Sequence, residues 1–287
     1  MRRVVRLALL VSLAAPLAYA EDVCRDKIQA WRDFSAWAQA QPGGAGLQGY
    51  RAKLVQDGIA AAQAEETLAL IGRLYEECTE VRNEAQRAGF NRLYQTEKQT
   101  RFTTEPSAFL AAMVKKMKPG KALDVAMGQG RNAVFLATQG WDVTGYDIAE
   151  EGLRVAQENA RKAGVRIATV NAGWDDFDHG RAQWDLITFI YTDAPVMDPK
   201  FIDRIQSALK PGGYLLFDRP YRNLEDPEPS WREKAHDKPN ALPQAWSSLQ
   251  LVFYEDTNGV GDWQQTEVAR EQYTKLRLVH MLARKLP

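Results

Sequence analysis

Cysteine is nearly absent. The chain of 287 residues holds two, Cys24 and Cys78. Two thiols are too few for a structural zinc site on their own, and neither has a histidine beside it to make a Cys/His nucleophile pair. Histidine is equally scarce: His179, His236 and His280 are scattered without metal-ligand spacing, so no metal is expected. Net charge is missing too, with 37 basic side chains against 37 acidic ones. A nucleic-acid binder ordinarily carries a basic excess or stripe; none is visible, and no nucleic-acid partner is expected. The apolar stretch Leu7–Leu17 is shorter than the roughly 20 residues a membrane span needs. No internal repeat or low-complexity tract appears. The 45% hydrophobic and 26% charged content is that of a soluble globular protein with enough apolar material for a sizeable core.

The N-terminus has the layout of an export signal. Arg2, Arg3 and Arg6 precede the short apolar stretch, and Ala18-Tyr19-Ala20 is a small-x-small cleavage site before Glu21. Residues 1–20 are therefore set apart as a signal peptide, with no stable membrane insertion after cleavage and a periplasmic or secreted destination. In an oxidising compartment the two cysteines allow one disulfide, Cys24–Cys78; the alternative is two unrelated buried thiols.

Residues 21–88 read as a helical unit. Val23, Ile28, Trp31, Phe34 and Trp37 recur at helical spacing, and Gln41–Gly46 breaks the pattern. Leu54, Ile59, Leu68, Ile71, Leu74, Tyr75, Cys78 and Val81 resume it, and Gly89 is expected to end it. Residues 89–287 have a different texture. Apolar strands over 122–126, 142–146, 166–170, 185–191 and 214–218 alternate with helices over 132–138, 151–163 and 200–209, the pattern of a parallel sheet covered on both faces. Two further strands, over 249–255 and 275–283, are separated by a polar segment and are expected to pair antiparallel.

The chemistry concentrates in Leu123-Asp124-Val125-Ala126-Met127-Gly128-Gln129-Gly130-Arg131-Asn132. Glycines at a strand-to-helix turn let the backbone approach a ligand, and the following helix presents unpaired N–H groups to it. By itself the turn fits a dinucleotide fingerprint equally well, or a plain tight turn. Asp124, inside the strand, would repel a pyrophosphate and suits a cationic ligand end. Asp147, 23 residues further on at the end of the second strand, can accept ribose hydroxyls, a feature shared by NAD and S-adenosylmethionine.

Three stretches, LDVAMGQGRNAVFLATQGWDVTGYDIAEEGL, WDLITFIY and LKPGGYLLF, make the region from Phe102 to Lys285 resemble the class I S-adenosylmethionine-dependent methyltransferases, in particular the small-molecule group that includes tellurite-resistance and thiopurine methyltransferase-like enzymes. The resemblance implies an α/β fold: a seven-stranded Rossmann-like sheet of order 3-2-1-4-5-7-6 with strand 7 antiparallel. It implies S-adenosylmethionine as cofactor and a small-molecule methyl acceptor as partner. Carried over by position, Asp124 and the turn of Ala126, Met127, Gly128 and Gly130, with Asn132 after it, face the methionine end. Asp147 and Ile148 hold the ribose and flank the adenine, Asn171 or Asp175 meets the adenine amino group, and Phe189 borders the methyl group. Ala126 departs from the family, which has glycine there; following a strand residue directly, it is expected to keep a negative φ.

Candidates for catalysis are Tyr191, Asp193, Arg219 and Tyr221, at the carboxyl ends of the fourth and fifth strands, where open sheets place their ligands; each equally suits a structural or rim position. Tyr94 and Phe102 are placed to cover the cofactor or to pack. Two rival functions stand beside the transferase: an exported, non-catalytic S-adenosylmethionine-binding domain, and an NAD-dependent dehydrogenase, which leaves Asp124 unexplained.

Overall fold

The computed structural model describes residues 15–41, 46–96, 102–221, 238–262 and 276–287; for residues 15–22 and 96 only the backbone is described. Most of the expected signal peptide lies outside these. The chain divides into two compact units at Gly89/Phe90.

The first unit comprises α1 (Ala15–Ala40), α2 (Leu47–Gln56), α3 (Ala61–Glu77) and the beginning of α4 (Thr79–Thr96). Its core is Trp31, Tyr50, Leu68, Ile71, Leu74 and Val81, the residues whose helical spacing marks them in the sequence. Cys24 of α1 and Cys78, which caps α3, are joined by a disulfide across a sequence separation of 54 residues. Closing a loop of that length contributes on the order of 2–4 kcal/mol. Among the described residues no helix is long and apolar enough to cross a membrane. Gly89 does not end α4, contrary to expectation: the helix runs on to Thr96. A glycine costs a helix interior only about 1 kcal/mol relative to alanine, and the residues after it favour the helix enough to carry it through.

The second unit is built on a seven-stranded sheet: β1 (Lys121–Val125), β2 (Asp142–Asp147), β3 (Ala168–Asn171), β4 (Trp184–Ile190), β5 (Leu209–Tyr221), β6 (Gln250–Gly259) and β7 (Leu276–Arg284). The order is β3-β2-β1-β4-β5-β7-β6, and β7 runs antiparallel to both its neighbours, as the resemblance implied. Alternation along the strands divides the core between the two faces. Leu123, Val125, Ile187, Phe189, Leu215 and Phe217 pack under α8 (Pro199–Ala208) and α9 (Ala241–Ala245). Ala122, Leu186, Ile190 and Leu216 pack under α5 (Ala108–Val114), α6 (Arg131–Thr138) and α7 (Glu150–Lys162).

β5 begins earlier than the Pro-Gly-Gly sequence suggests. Leu209 already pairs with Trp184, and a register shift absorbs the following residues before Tyr214 pairs with Leu186. Gly212 has φ +80° there, and a Cβ on Gly213 would lie 2.9 Å from the Trp184 carbonyl oxygen, so both glycines are required. β1 and β4 end together, Val125 opposite Phe189, while β5 passes Ile190 at Asp218 and continues to Tyr221. This staggered carboxyl edge carries the candidate site.

Candidate functional site

The chain leaves β1 through a left-handed turn: φ is +54° at Ala126, +53° at Gly128 and +76° at Gly130. Ala126 therefore lacks the negative φ expected of it. Its Cβ costs about 1–2 kcal/mol in this region, which glycine in the family pattern would avoid. Tyr191, the first residue after the adjacent strand β4, is also left-handed, at φ +53°. Non-glycine residues held this way cluster at functional sites, and these two follow neighbouring strands at the same sheet edge. The glycines serve separate purposes. A Cβ on Gly128 would stand 2.5 Å from the Tyr94 hydroxyl, so the turn admits the end of α4; one on Gly130 would stand 2.8 Å from the Ala156 Cβ, so the turn admits α7.

Two buried carboxylates flank the turn. Asp124 is 2% exposed. Its Oδ1 accepts a 2.7 Å hydrogen bond from the Thr188 hydroxyl, and its Oδ2 has no hydrogen-bond partner among the described residues. Burial pushes its carboxyl up to about 6, against the opposing pull of Thr188 and the Arg131 charge. Asp147 is differently held. Its Oδ2 accepts from the Gly128 amide and its Oδ1 from the Ala149 amide, each at 2.8 Å, so one side chain ties the glycine turn to the end of β2. Burial raises its carboxyl as well, opposed by those amides. A carboxylate offers about four lone-pair positions, so these amides do not exhaust it.

The other expected cofactor residues divide. Asn171 donates to the carbonyls of Asp147 and Ile148, both at 3.1 Å, and so fixes the loop beside Asp147. Asp175 is engaged by Arg204 at 3.3 Å. Met127 turns its side chain inward over Gly145, leaving only its backbone to the turn. Asn132 is buried, and its Oδ1 accepts from the Ser107 amide. Phe189 is a core residue, fully buried and stacked on Phe217 at 5.0 Å, because strand alternation turns it under α8 and away from the edge. The side chains of Phe189, Met127 and Asn132 are thus engaged in packing or hydrogen bonds within the fold.

At the β4–β5 end of the edge, Arg131 lies over the Tyr191 ring at 5.3 Å, and its guanidinium donates to the Glu105 and Asp262 carbonyls and pairs with the Asp262 carboxylate at 3.2 Å. The same carboxylate accepts from the Ala108 amide at 2.8 Å, and the Asp262 amide donates to the Tyr191 hydroxyl at 3.4 Å. Burial, Asp218 and Asp262 push the Tyr191 phenol well above its ordinary range, so it remains protonated. Asp193 is exposed, and its carboxylate is 3.8 Å from Arg219, itself buried over the Tyr221 ring. Asp218 accepts from the Ser107 hydroxyl and faces His280 Nε2 at 3.3 Å, while His280 Nδ1 lies 3.1 Å from Glu255. Burial opposes protonation of His280, but the two carboxylates outweigh it and raise its pKa.

The motif reading missed Arg131, although it lies inside the glycine stretch, and the Ser107–Asp218–His280 chain, whose members come from three distant segments. Tyr94 and Phe102, candidates to cover the cofactor, approach each other with ring centroids 6.3 Å apart, and Tyr94 meets the glycine turn. Chemically, the β1–β2 end suits a ligand that brings a cationic group to Asp124 and a diol to Asp147.

A family profile described as a methyltransferase domain matches residues 122–213. In sequence, the ubiquinone biosynthesis O-methyltransferase of Vibrio vulnificus (strain YJ016) is 35% identical over 107 residues, covering 37% of this chain and 46% of that protein. The Idiomarina loihiensis enzyme of the same name is 36% identical over 107 residues, 37% of this chain and 44% of its own. The chain thus spans under half the length of these relatives. Among solved structures, TehB from Haemophilus influenzae superposes with a TM-score of 0.50 at 22% identity, covering 68% of this chain and 67% of TehB. The [4+2]-cyclase SpnF superposes with a TM-score of 0.53 at 16% identity, covering 71% of this chain and 96% of SpnF. These superpositions speak for the fold. The sheet order and the glycine turn are those of the class I S-adenosylmethionine-dependent methyltransferase fold.

Proposed function

We propose that this protein transfers a methyl group from S-adenosylmethionine to a small-molecule acceptor. The observation that carries the reading is the unpartnered, buried Oδ2 of Asp124 beneath the glycine turn. A buried carboxylate oxygen without a donor is costly, and the ammonium of a methionine moiety would supply one. A dinucleotide pyrophosphate would instead meet the negative charge of Asp124. Bound here, S-adenosylmethionine supplies an activated methyl group on a sulfonium.

The chain's own part is to bind, orient and exclude water. Asp124 receives the cationic end, Asp147 offers its remaining lone-pair capacity to the ribose, and Tyr94 covers the turn. In-line displacement gains much of its rate from such alignment. Tyr191 stays protonated at neutral pH and serves as a hydrogen-bond donor or wall at the reacting edge, not as a base. The O-methyltransferase relatives favour an oxygen acceptor.

The test is incubation of the purified protein with S-adenosylmethionine carrying a trideuterated methyl group and a small-molecule extract. A product three mass units heavier than its unlabelled counterpart, formed together with S-adenosylhomocysteine, is expected. Absence of both removes the transferase reading. The cyclase fold neighbour makes the label essential, since this fold also hosts other reactions.

Export is proposed alongside. The basic start, the short apolar stretch, the Ala18-Tyr19-Ala20 site and the Cys24–Cys78 disulfide support it. Intact-mass measurement on the protein from its natural host is expected to show a chain beginning at Glu21, two hydrogens lighter than the reduced form. A retained Met1 with two free thiols contradicts this.

A further inference from the structure

Among the described residues three arginines are buried in the second unit, and two are held closely by carboxylates. Arg131 pairs with Asp262 at 3.2 Å, and Arg277 grips Asp256 with two bonds of 2.6 and 2.7 Å. Arg219 is held loosely. It is 6% exposed, its Nη1 has no hydrogen-bond partner among the described residues, and the acid that pairs with it, Asp193, stands 3.8 Å from its Nη2 on a side chain that is 72% exposed. What does hold the guanidinium is the Tyr221 ring, 5.0 Å beneath it. A buried charge with so loose a partner is costly, and a buried donor left without an acceptor calls for a functional explanation such as a ligand that completes it.

The position identifies the ligand. Arg219 is on β5 one residue beyond the Asp218–Ile190 pair, beside the loop that leaves β4, at the edge where acceptors reach the methyl group. From Asp124 on β1 it is two strand spacings away, about 10 Å along the edge. The cofactor end of this edge offers an unpaired carboxylate oxygen and the other end an unpaired guanidinium nitrogen.

Resting on the transferase reading, we propose that Arg219 is the specificity-determining residue for the acceptor, and that the acceptor is a small carboxylate. One guanidinium neutralises one charge, and its planar fork matches a carboxylate in two parallel bonds. A phosphate dianion would leave a second charge unmet. Asp193 is a weak, solvent-exposed stand-in that the ligand displaces. Phe217 and Trp246 lie under the same end of the sheet, their ring centroids 5.3 Å apart, and keep this part of β5 rigid.

The test uses the full chain and three probes, benzoate, its neutral counterpart benzamide, and inorganic phosphate, titrated calorimetrically with and without saturating S-adenosylhomocysteine. Benzoate is expected to bind in both conditions, and benzamide and phosphate in neither. Arg219→Gln is expected to weaken benzoate by roughly ten- to hundredfold, Arg219→Lys to retain part of the affinity, and Asp193→Asn to strengthen it. S-adenosylhomocysteine affinity should remain unchanged in all three variants, which also reports that they fold. Benzoate binding that survives Arg219→Gln overturns the proposal, as does no benzoate binding by the wild type or preference for phosphate. Competition between benzoate and S-adenosylhomocysteine also overturns it, assigning the guanidinium to the cofactor's carboxylate. Failure to bind S-adenosylhomocysteine defeats the transferase reading alone, since the titration without it still decides Arg219.

Discussion

The two ends of the sheet's carboxyl edge are held by different means. At the β1–β2 end the backbone does the holding: Asp147 is fixed by the amides of Gly128 and Ala149, and the turn depends on left-handed residues. At the β4–β5 end side chains hold one another: Arg131 with Asp262 and Tyr191, Asp218 with Ser107 and His280, Arg219 with Tyr221. Backbone-held groups are set by local sequence and recur as a motif. Side-chain pairs drawn from distant segments can change without disturbing the turn. A common cofactor at the first end and an individual acceptor at the second is the division of labour such construction favours.

The sharpest break in this comparison is Asp147→Ala. It leaves two buried amides without an acceptor, and by about 1.5 kcal/mol for each charge-assisted bond the protein should lose roughly 3 kcal/mol of stability, read as a lowered midpoint in thermal unfolding, together with its S-adenosylhomocysteine binding. An unchanged midpoint would show that the turn does not depend on Asp147.

Asp124→Asn separates binding from stability. Binding of S-adenosylhomocysteine should weaken by about 1.5–3 kcal/mol, yet the fold should not suffer, because burial already disfavours the Asp124 charge. The pH dependence follows from the same carboxyl. Its pKa in the folded chain is about 6, above the ordinary 3.8, so acidification through 6 protonates it, relieves the fold, and removes the partner of the ligand's ammonium. Affinity measured by calorimetry should therefore fall from pH 7 to pH 5 in the wild type and hold level in Asp124→Asn.

The other end responds in the opposite sense. The pKa of His280 is raised above its ordinary value, so its pairing with Asp218 and Glu255 stabilises the fold fully below 6.5 and is lost as pH rises past the raised value. Asp218→Asn should consequently destabilise more at pH 6 than at pH 8 in chemical unfolding. An equal loss at both would remove the charge on His280 from the account. The smallest effect is expected at Ala126→Gly, where relief of the +54° backbone, offset by the greater freedom of glycine when unfolded, should add about 0.5–1 kcal/mol and leave S-adenosylhomocysteine affinity within tenfold. Destabilisation would show that the methyl group packs usefully.

The same division explains what the sequence made legible. Asp124, Gly128, Gly130 and Asp147 are readable because a strand, a glycine turn and a second strand fix them within 24 consecutive residues. The alternation of strands and helices was readable from apolar runs, and the sheet order came with the family resemblance. The face that Phe189 takes, under α8, is not legible from its place near a strand end. Ala126 was misjudged because continuity with Val125 suggested extended backbone, while the turn geometry required the opposite sign of φ. Asn132 was counted toward the ligand, and only the fold brings Ser107 within its reach. Arg219 is visible as a residue at the right strand end, but its unpartnered Nη1 is a property of three-dimensional packing, evident only beside the close pairs of Arg131 and Arg277.

The central claim is that Asp124 and Asp147 form a site for S-adenosylmethionine and not for a dinucleotide. Calorimetric titration of residues 21–287 with S-adenosylhomocysteine and with NAD tests it most directly. Saturable one-site binding of S-adenosylhomocysteine, weakened in Asp124→Asn, with no binding of NAD, is the predicted result. Saturable NAD binding with no response to S-adenosylhomocysteine would contradict it.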